Sequence, residues 1–469
     1  MKKEDRFTIS LMIGALILAL GCGGELKTGT RKQPDNKPAA DGTCPAERSL
    51  CGTGAYAFCR DLQNDPEHCG TCDRVCSPGI ACQAGVCQQT LCTGATVPFS
   101  NQTTPSASGT GAGAAFGAVV LADVNGDGTL DLVEYQQRFS GMFRVSLGQP
   151  GGGFATPEAY PSTNVLKISA ADVNADGIDD LLVVSSPTPW IPPSHVEVWL
   201  GHPDGHLTKA NPTNVSATTN TIMAVDMAVV DISGDGWPDL VMPADSGSGR
   251  IRVFVSDSTG ALHLSNTYDT GSQFISIHIR DWDGDGSPDL VVQTTKNYSL
   301  QILYNRGDGT FDPPVDCAVS VSLAIDIVVE DFNRDGRMDL AMPTESGTRV
   351  GVALGLGECS FEPFSFYDVP GDKLEVLRAA DMNGDGQLDL ITIGKVGPLI
   401  DSPQDHLLTV LLGKPDGTFE PPGTSMSLGS LGSSDITDLA VGEVTGDQRP
   451  DIVLSLFDGQ VTTWKNSCP

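Results

Sequence analysis

The stretch Asp123-Val124-Asn125-Gly126-Asp127-Gly128-Thr129-Leu130-Asp131-Leu132 recurs along most of the chain as Asp-x-Asn/Asp-x-Asp-Gly-x-x-Asp-Leu. Further copies start at Asp172, Asp231, Asp281, Asp331 and Asp381, and a worn seventh starts at Glu443. The steps between starts are 49, 59, 50, 50, 50 and 62 residues. A period near 50 that returns seven times marks a repeat architecture, and its length suits one blade of a β-propeller.

The flanks of each loop read as strands. Apolar runs such as Ala118-Val-Val-Leu121 and Ile327-Val-Val329 precede the loops, and Leu240-Val241, Leu290-Val-Val292 and Leu390-Ile391 follow them. They are short, rich in β-branched residues and punctuated by Pro, Gly or Ser. A second element comes about 30 to 38 residues after each loop start, for example Ile302-Leu-Tyr304-Asn305 with Asp308-Gly309-Thr-Phe311. Alternating apolar residues followed by Asp-Gly predict a strand, a tight turn and another strand. Each unit therefore offers about four strands.

Loop, strand and Gly-x-Phe turn recur in one order, and in this the chain resembles the FG-GAP/VCBS repeat family, which includes the integrin α-subunit propellers. The resemblance spans about Val97 to Asn466. It implies an all-β, seven-bladed propeller with the Asp loops near the inner strands. The last unit stops at Val461-Thr-Thr-Trp464-Lys-Asn466 without a further strand, whereas Val97-Pro-Phe99 precedes the first unit. The N-terminal segment is therefore expected to complete the last blade, which removes an open sheet edge.

The loop spacing suits Ca²⁺. This hard cation takes six to eight oxygens at about 2.3–2.6 Å, and side chains at positions 1, 3 and 5 of a tight loop can surround one centre. Gly at position 6 supplies the sharp turn, and the carbonyl at position 7 can add an oxygen. Counting position 9 as well, the expected ligands of the first three copies are Asp123, Asn125, Asp127 and Asp131; Asp172, Asn174, Asp176 and Asp180; and Asp231, Ser233, Asp235 and Asp239. Those of the next three are Asp281, Asp283, Asp285 and Asp289; Asp331, Asn333, Asp335 and Asp339; and Asp381, Asn383, Asp385 and Asp389. Ser233 weakens the third set. The seventh copy has Glu443, Thr445 and Asp447 but Gln448 in place of the glycine, so it is not expected to bind. Six Ca²⁺ sites follow, with affinities of about 10⁻⁴ to 10⁻³ M, as in extracellular modules. An EF-hand shares the first six positions, but strands and 50-residue steps do not suit paired helices.

Composition agrees. The chain has 469 residues, 54 of them Gly and 31 Pro, and a formal net charge of −31. Such a surface repels a phosphate backbone, so nucleic acid is not an expected partner. A mostly positive start and the apolar run Phe7 to Leu20 read as an export signal, too short to span a bilayer. It ends Leu18-Ala19-Leu20-Gly21-Cys22, which resembles the lipobox of bacterial lipoproteins, with Ala19 where Leu is usual. That resemblance implies residues 1–21 as signal peptide, lipidation of Cys22, and outer-membrane or surface placement. Residues 22–43 then form a polar tether. Residues 44–92 form a cysteine-rich module, and 93–469 the propeller.

Nine of the 13 Cys lie between Cys44 and Cys92, where few large apolar residues could make a core. Disulfides are expected there, and not zinc at Cys69-x-x-Cys72, in an exported chain. With Cys22 lipidated, nine Cys in the module and three beyond are both odd sets, so a full pairing needs a bridge between them. Cys92 with Cys468 would tie the ends of the ring, leaving Cys317 to pair with Cys359.

No nucleophile elbow, zinc-protease motif or P-loop appears. His202-Pro-Asp-Gly-His206 and Arg306-Gly307-Asp308 both fall on the repeat's turn, and read as turn residues and not as a metal or integrin-ligand site. The expected protein is a monomeric, non-enzymatic, lipid-anchored scaffold for a protein or glycan ligand. A lectin or carbohydrate-acting enzyme is the alternative, and fold alone does not choose between them.

Overall fold

A computed structural model describes four short strands before residue 89 and then residues 97, 99–102, 117–136, 141–186, 194–210, 216–217, 227–244, 249–257, 261–271, 273–295, 299–320, 327–344, 347–396, 405–421, 425–430, 436–456 and 460–468. The expected lipobox and tether, and most of the cysteine-rich stretch, lie outside these residues. The chain divides into two compact units, Met1–Gln88 and Gln89–Pro469. In the first, Ser49–Cys51 pairs with Phe58–Arg60 and Ala81–Gln83 with Val86–Gln88, two antiparallel hairpins.

The second unit is a seven-bladed β-propeller, and its described residues contain no helix. Blade 1 is an antiparallel sheet of Gly117–Ala122, Asp131–Gln136, Met142–Ser146 and Glu158–Pro161. Blade 2 has Val165–Ala171, Asp180–Ser185, Ser194–Leu200 and Thr208–Lys209, with Ser216–Ala217 also on its third strand. Blade 3 has Ala228–Val230, Asp239–Pro243, Arg250–Ser256 and Leu262–Asp269; blade 4 has Phe274–Arg280, Asp289–Thr294, Ser299–Leu303 and Val315–Ser320. Blade 5 has Val328–Glu330, Asp339–Pro343, Arg349–Ala353 and Ser365–Asp368; blade 6 has Lys373–Ala380, Asp389–Val396, Asp405–Leu411 and Met426–Ser430. Blade 7 takes Ile436–Gly442, Asp451–Leu456 and Val461–Asn466 from the end of the chain and its outer strand, Phe99–Gln102, from before blade 1. Thr463 faces Gln102 and Asn466 faces Phe99, so the ring closes as the sequence leads one to expect.

The first strand of each blade touches the first strand of the next, and that of blade 7 returns to that of blade 1. First strands are thus innermost. Second strands are buried on both faces, and in blades 2, 3, 4 and 7 every residue of that strand is buried. This explains why they read as unbroken apolar runs and do not alternate.

There is no single core. Seven apolar clusters fill the seven seams between neighbouring blades. Position 2 of every Asp loop supplies a buried side chain to its seam: Val124, Val173, Ile232, Trp282, Phe332, Met382 and Val444. The turn between third and outer strand of the following blade lies over it. Phe332 meets Phe419 edge-on at 5.3 Å, and Trp282 meets Phe361 at 6.0 Å.

A clasp recurs at the rim of the seams. The hydroxyl of Tyr268, on the outer strand of blade 3, accepts from the Phe311 N–H of blade 4 at 2.8 Å. Tyr367 accepts from Phe419 at 3.1 Å and Tyr160 from Leu207 at 3.1 Å, joining blades 5 to 6 and 1 to 2. At the seam of blades 4 and 5 the same place is taken by the Cys317–Cys359 disulfide, the pairing expected from cysteine parity. Cys468 is buried and disulfide-bonded, while Cys92 lies outside the described residues.

Candidate metal loops

Each Asp loop joins the innermost strand of a blade to the second. Its turn needs two left-handed residues. Position 6 has φ of +83° at Gly128, +84° at Gly177 and +91° at Gly236. Position 4 also has positive φ, at Gly126, Gly234, Gly284, Gly384 and Gly446, but also at Ala175 (+55°) and Arg334 (+58°). The sequence pattern treats position 4 as free, although five glycines in seven copies signal the same backbone demand.

The side chains first serve the turn itself. Asp123 Oδ1 accepts from the Asp127 N–H at 3.1 Å and its Oδ2 from the Gly128 N–H at 2.8 Å. Asp127 Oδ1 accepts from the Thr129 N–H at 2.8 Å, an Asx turn. Equivalent bonds form in the other copies, as at Asp172, Asp331 and Asp381. At position 3, the Asn125, Asn333 and Asn383 amides each donate to the carboxylate at position 5. Asp283 has no such donor to offer. In that loop carboxylate oxygens of Asp281, Asp283 and Asp285 lie within 4.8 Å of one another. Position 1 is half-buried in all six intact copies and position 5 is exposed, so the carboxylates open to solvent.

Position 9 is different. Asp131, Asp180, Asp239, Asp289, Asp339, Asp389 and Asp451 are all buried. One oxygen accepts from the N–H of position 2, at 2.9 Å for Asp131 and 2.9 Å for Asp389. The other accepts from the end of the third strand: Gly148 at 2.7 Å, Gly413 at 2.8 Å. The same carboxylate thus pins loop, second strand and third strand in every blade. Burial, joined by the charges of Asp123 and Asp127, pushes Asp131 up to about 7. Burial likewise raises Asp389 to about 7 and Asp180, Asp289 and Asp339 to about 6. Sequence spacing assigns position 9 to the ion; its duty as a backbone staple is visible only with the third strand in place.

The other sequence candidates separate. His202 bonds Thr208 at 2.6 Å, and His206 pairs with Glu158 at 2.9 Å, so the two histidines do not converge. Arg306 is engaged by Asp312, and Asp308 caps Thr310 within the turn. Trp199, Trp282 and Trp464 are buried packing residues. Ser185, His195 and Glu197 of blade 2 lie within 3.2 Å of one another. However, Ser185 is fully buried, and a single His195 nitrogen faces both partners, which is not a nucleophile relay.

A closed ring of seven sheets, six four-stranded and one five-stranded, with an Asp-rich turn between the inner two strands of each, defines a repeat propeller. The chain belongs to the FG-GAP-like repeat family: the repeat matches residues 172–242, 231–292, 281–342 and 381–454, together more than half of the 469 residues. No curated protein matches. Among solved structures, BBS1N in complex with ARL6DN, soaked with lead, is 14% identical, with a TM-score of 0.47, covering 80% of this chain and 95% of that one. A Photorhabdus luminescens Tc holotoxin pore is 20% identical, with a TM-score of 0.40, covering 69% of this chain and 15% of that one.

Proposed function

We propose that this propeller is a calcium-stabilised scaffold, held at the cell envelope by a lipid on Cys22, that presents a face for binding or adhesion. The gathering of three carboxylates at Asp281, Asp283 and Asp285 carries the calcium reading. All donors are oxygens, which suits a hard cation and not zinc or copper. In each intact loop, positions 1, 3 and 5 would hold the ion, with the carbonyl of position 7 (Thr129 in blade 1) as a further ligand and position 9 fixed behind them. A bound divalent ion supplies charge neutralisation. The chain's residues supply a turn already folded by its own hydrogen bonds, so little ordering cost remains.

Calcium titration of chelated protein, read by metal content and thermal unfolding, tests this. At 5 mM Ca²⁺, a site of 10⁻⁴ to 10⁻³ M contributes about 1–2 kcal/mol. Six equivalents and a raised Tm are expected; an unchanged Tm after EDTA contradicts a structural ion. Membrane retention of Cys22→Ser contradicts the anchor. A glycan array run with and without Ca²⁺ separates a lectin from a protein binder.

A further inference from the structure

The seventh loop departs from the other six in its chemistry but not in its shape. Glu443, Thr445 and Gln448 stand at positions 1, 3 and 6, yet Gln448 adopts φ +67° and Gly446 φ +77°, as in the intact copies. Glu443 Oε1 accepts from the N–H groups of Thr445 and Asp447, at 2.9 and 3.1 Å. Carboxylate oxygens of Glu443, Asp447 and Asp451 gather within 4.8 Å. Ionised together, three acids this close repel, and a positive charge beside them offsets that repulsion.

That charge is present in the chain. Lys465 Nζ lies 3.1 Å from Asp447 Oδ2, with both side chains about two-thirds or more covered. Lys465 precedes Asn466, whose N–H bonds the position-9 carboxylate of Asp451 at 2.8 Å. In the other blades the residues at that point are Leu147, Leu200, Val255, Tyr304, Leu354 and Leu412. Five aliphatic side chains and one tyrosine stand at this point in the blades with intact loops, and a lysine stands there in the blade with the worn one. The blade 1 turn also seals this loop: Gly153 donates to the Val444 carbonyl at 3.1 Å, and a Cβ on Gly152 would lie 2.7 Å from the Thr445 oxygen.

We infer that Lys465 is a tethered replacement for the divalent ion in blade 7, so that the blade closing the ring holds its loop without calcium. The contrast with the other loops rests on the calcium reading above; the role of Lys465 does not. The observation fits the topology, because Lys465 lies on the strand that receives Phe99–Gln102, opposite Ser100. The closure would then survive a fall in calcium that loosens the other six loops.

Hydrogen exchange on the full-length protein tests this, followed in peptides covering 381–389 and 443–451, with and without EDTA. In the unmodified protein, EDTA should speed exchange in 381–389 and leave 443–451 unchanged. Lys465→Met in EDTA should speed exchange in 443–451 by roughly fivefold, with Lys465→Arg restoring protection. Deprotection of 443–451 by EDTA in the unmodified protein overturns the inference, as does unchanged exchange in Lys465→Met. If 381–389 ignores EDTA, the calcium reading fails, while the Lys465→Met comparison still decides the role of the lysine. Should Lys465→Met not fold, the response of 443–451 to EDTA in the unmodified protein decides alone.

Discussion

Removing one oxygen from Tyr268 probes the seams directly. Tyr268→Phe keeps the ring, and with it the edge-on contact to Phe311 at 5.6 Å. What goes is the acceptor for the Phe311 N–H, 2.8 Å away, and a bond from Asn266 Nδ2 at 3.1 Å. The Asn266 bond is exposed and contributes little. The Phe311 N–H sits in a turn whose neighbours pair otherwise, Arg306 with Thr310 and Asp312 with Tyr304. A donor stranded there costs about 1–3 kcal/mol. Tyr160→Phe and Tyr367→Phe strand the Leu207 and Phe419 N–H groups in the same way. The three clasps join different pairs of blades, so their effects should add, to about 3–9 kcal/mol in the triple variant. Urea unfolding at fixed calcium measures the loss, and amide exchange at Phe311 localises it. If Tyr268→Phe leaves both the urea midpoint and the Phe311 exchange rate unchanged, the hydroxyl is not the acceptor and the clasp has no energetic role.

The disulfide at the seam of blades 4 and 5 closes a loop with a sequence separation of 42, and replacing both Cys317 and Cys359 with Ser should cost about 2–4 kcal/mol, read as a lower urea midpoint. In calcium-free buffer, burial holds protons on Asp131 and Asp389 up to about pH 7 and on Asp180, Asp289 and Asp339 up to about 6. The unfolded chain releases the same protons near pH 4, so the folded state binds more protons between about 4 and 7 and stability should fall as pH rises through that window. A urea midpoint in EDTA that climbs from pH 5 to pH 8 would oppose this. Asp285→Ala removes one of three clustered carboxylates and should lower bound calcium by one equivalent, measured by metal content after dialysis.

Much of the ring was legible in the chain because the repeat writes it locally. Loop, strand and turn follow one another within each unit, so their order gives four strands, and the missing strand after Asn466 points to Phe99 as its replacement. The relations between units were not legible. Tyr160, Tyr268 and Tyr367 look like ordinary outer-strand residues until the next blade brings an N–H to each hydroxyl. Position 2 reads as an arbitrary apolar residue, although it fills a seam in all seven copies. Position 9 reads as one more acid, because its second partner comes from the third strand, 17 residues away in the case of Gly148. Lys465 carries no motif; only alignment of seven third strands in space sets it against six uncharged counterparts, five aliphatic and one tyrosine.

The closing strand has a consequence for how the protein is made. Phe99–Gln102 is synthesised before every other strand of the ring, yet its partner Val461–Asn466 is synthesised last. A partly made chain therefore has a gap between its first and latest blades, with backbone N–H and C=O groups open at that gap. Contacts so distant in sequence form slowly. Until they form, both exposed ends can pair with another copy, so the hazard of self-association is greatest between leaving the ribosome and sealing the ring.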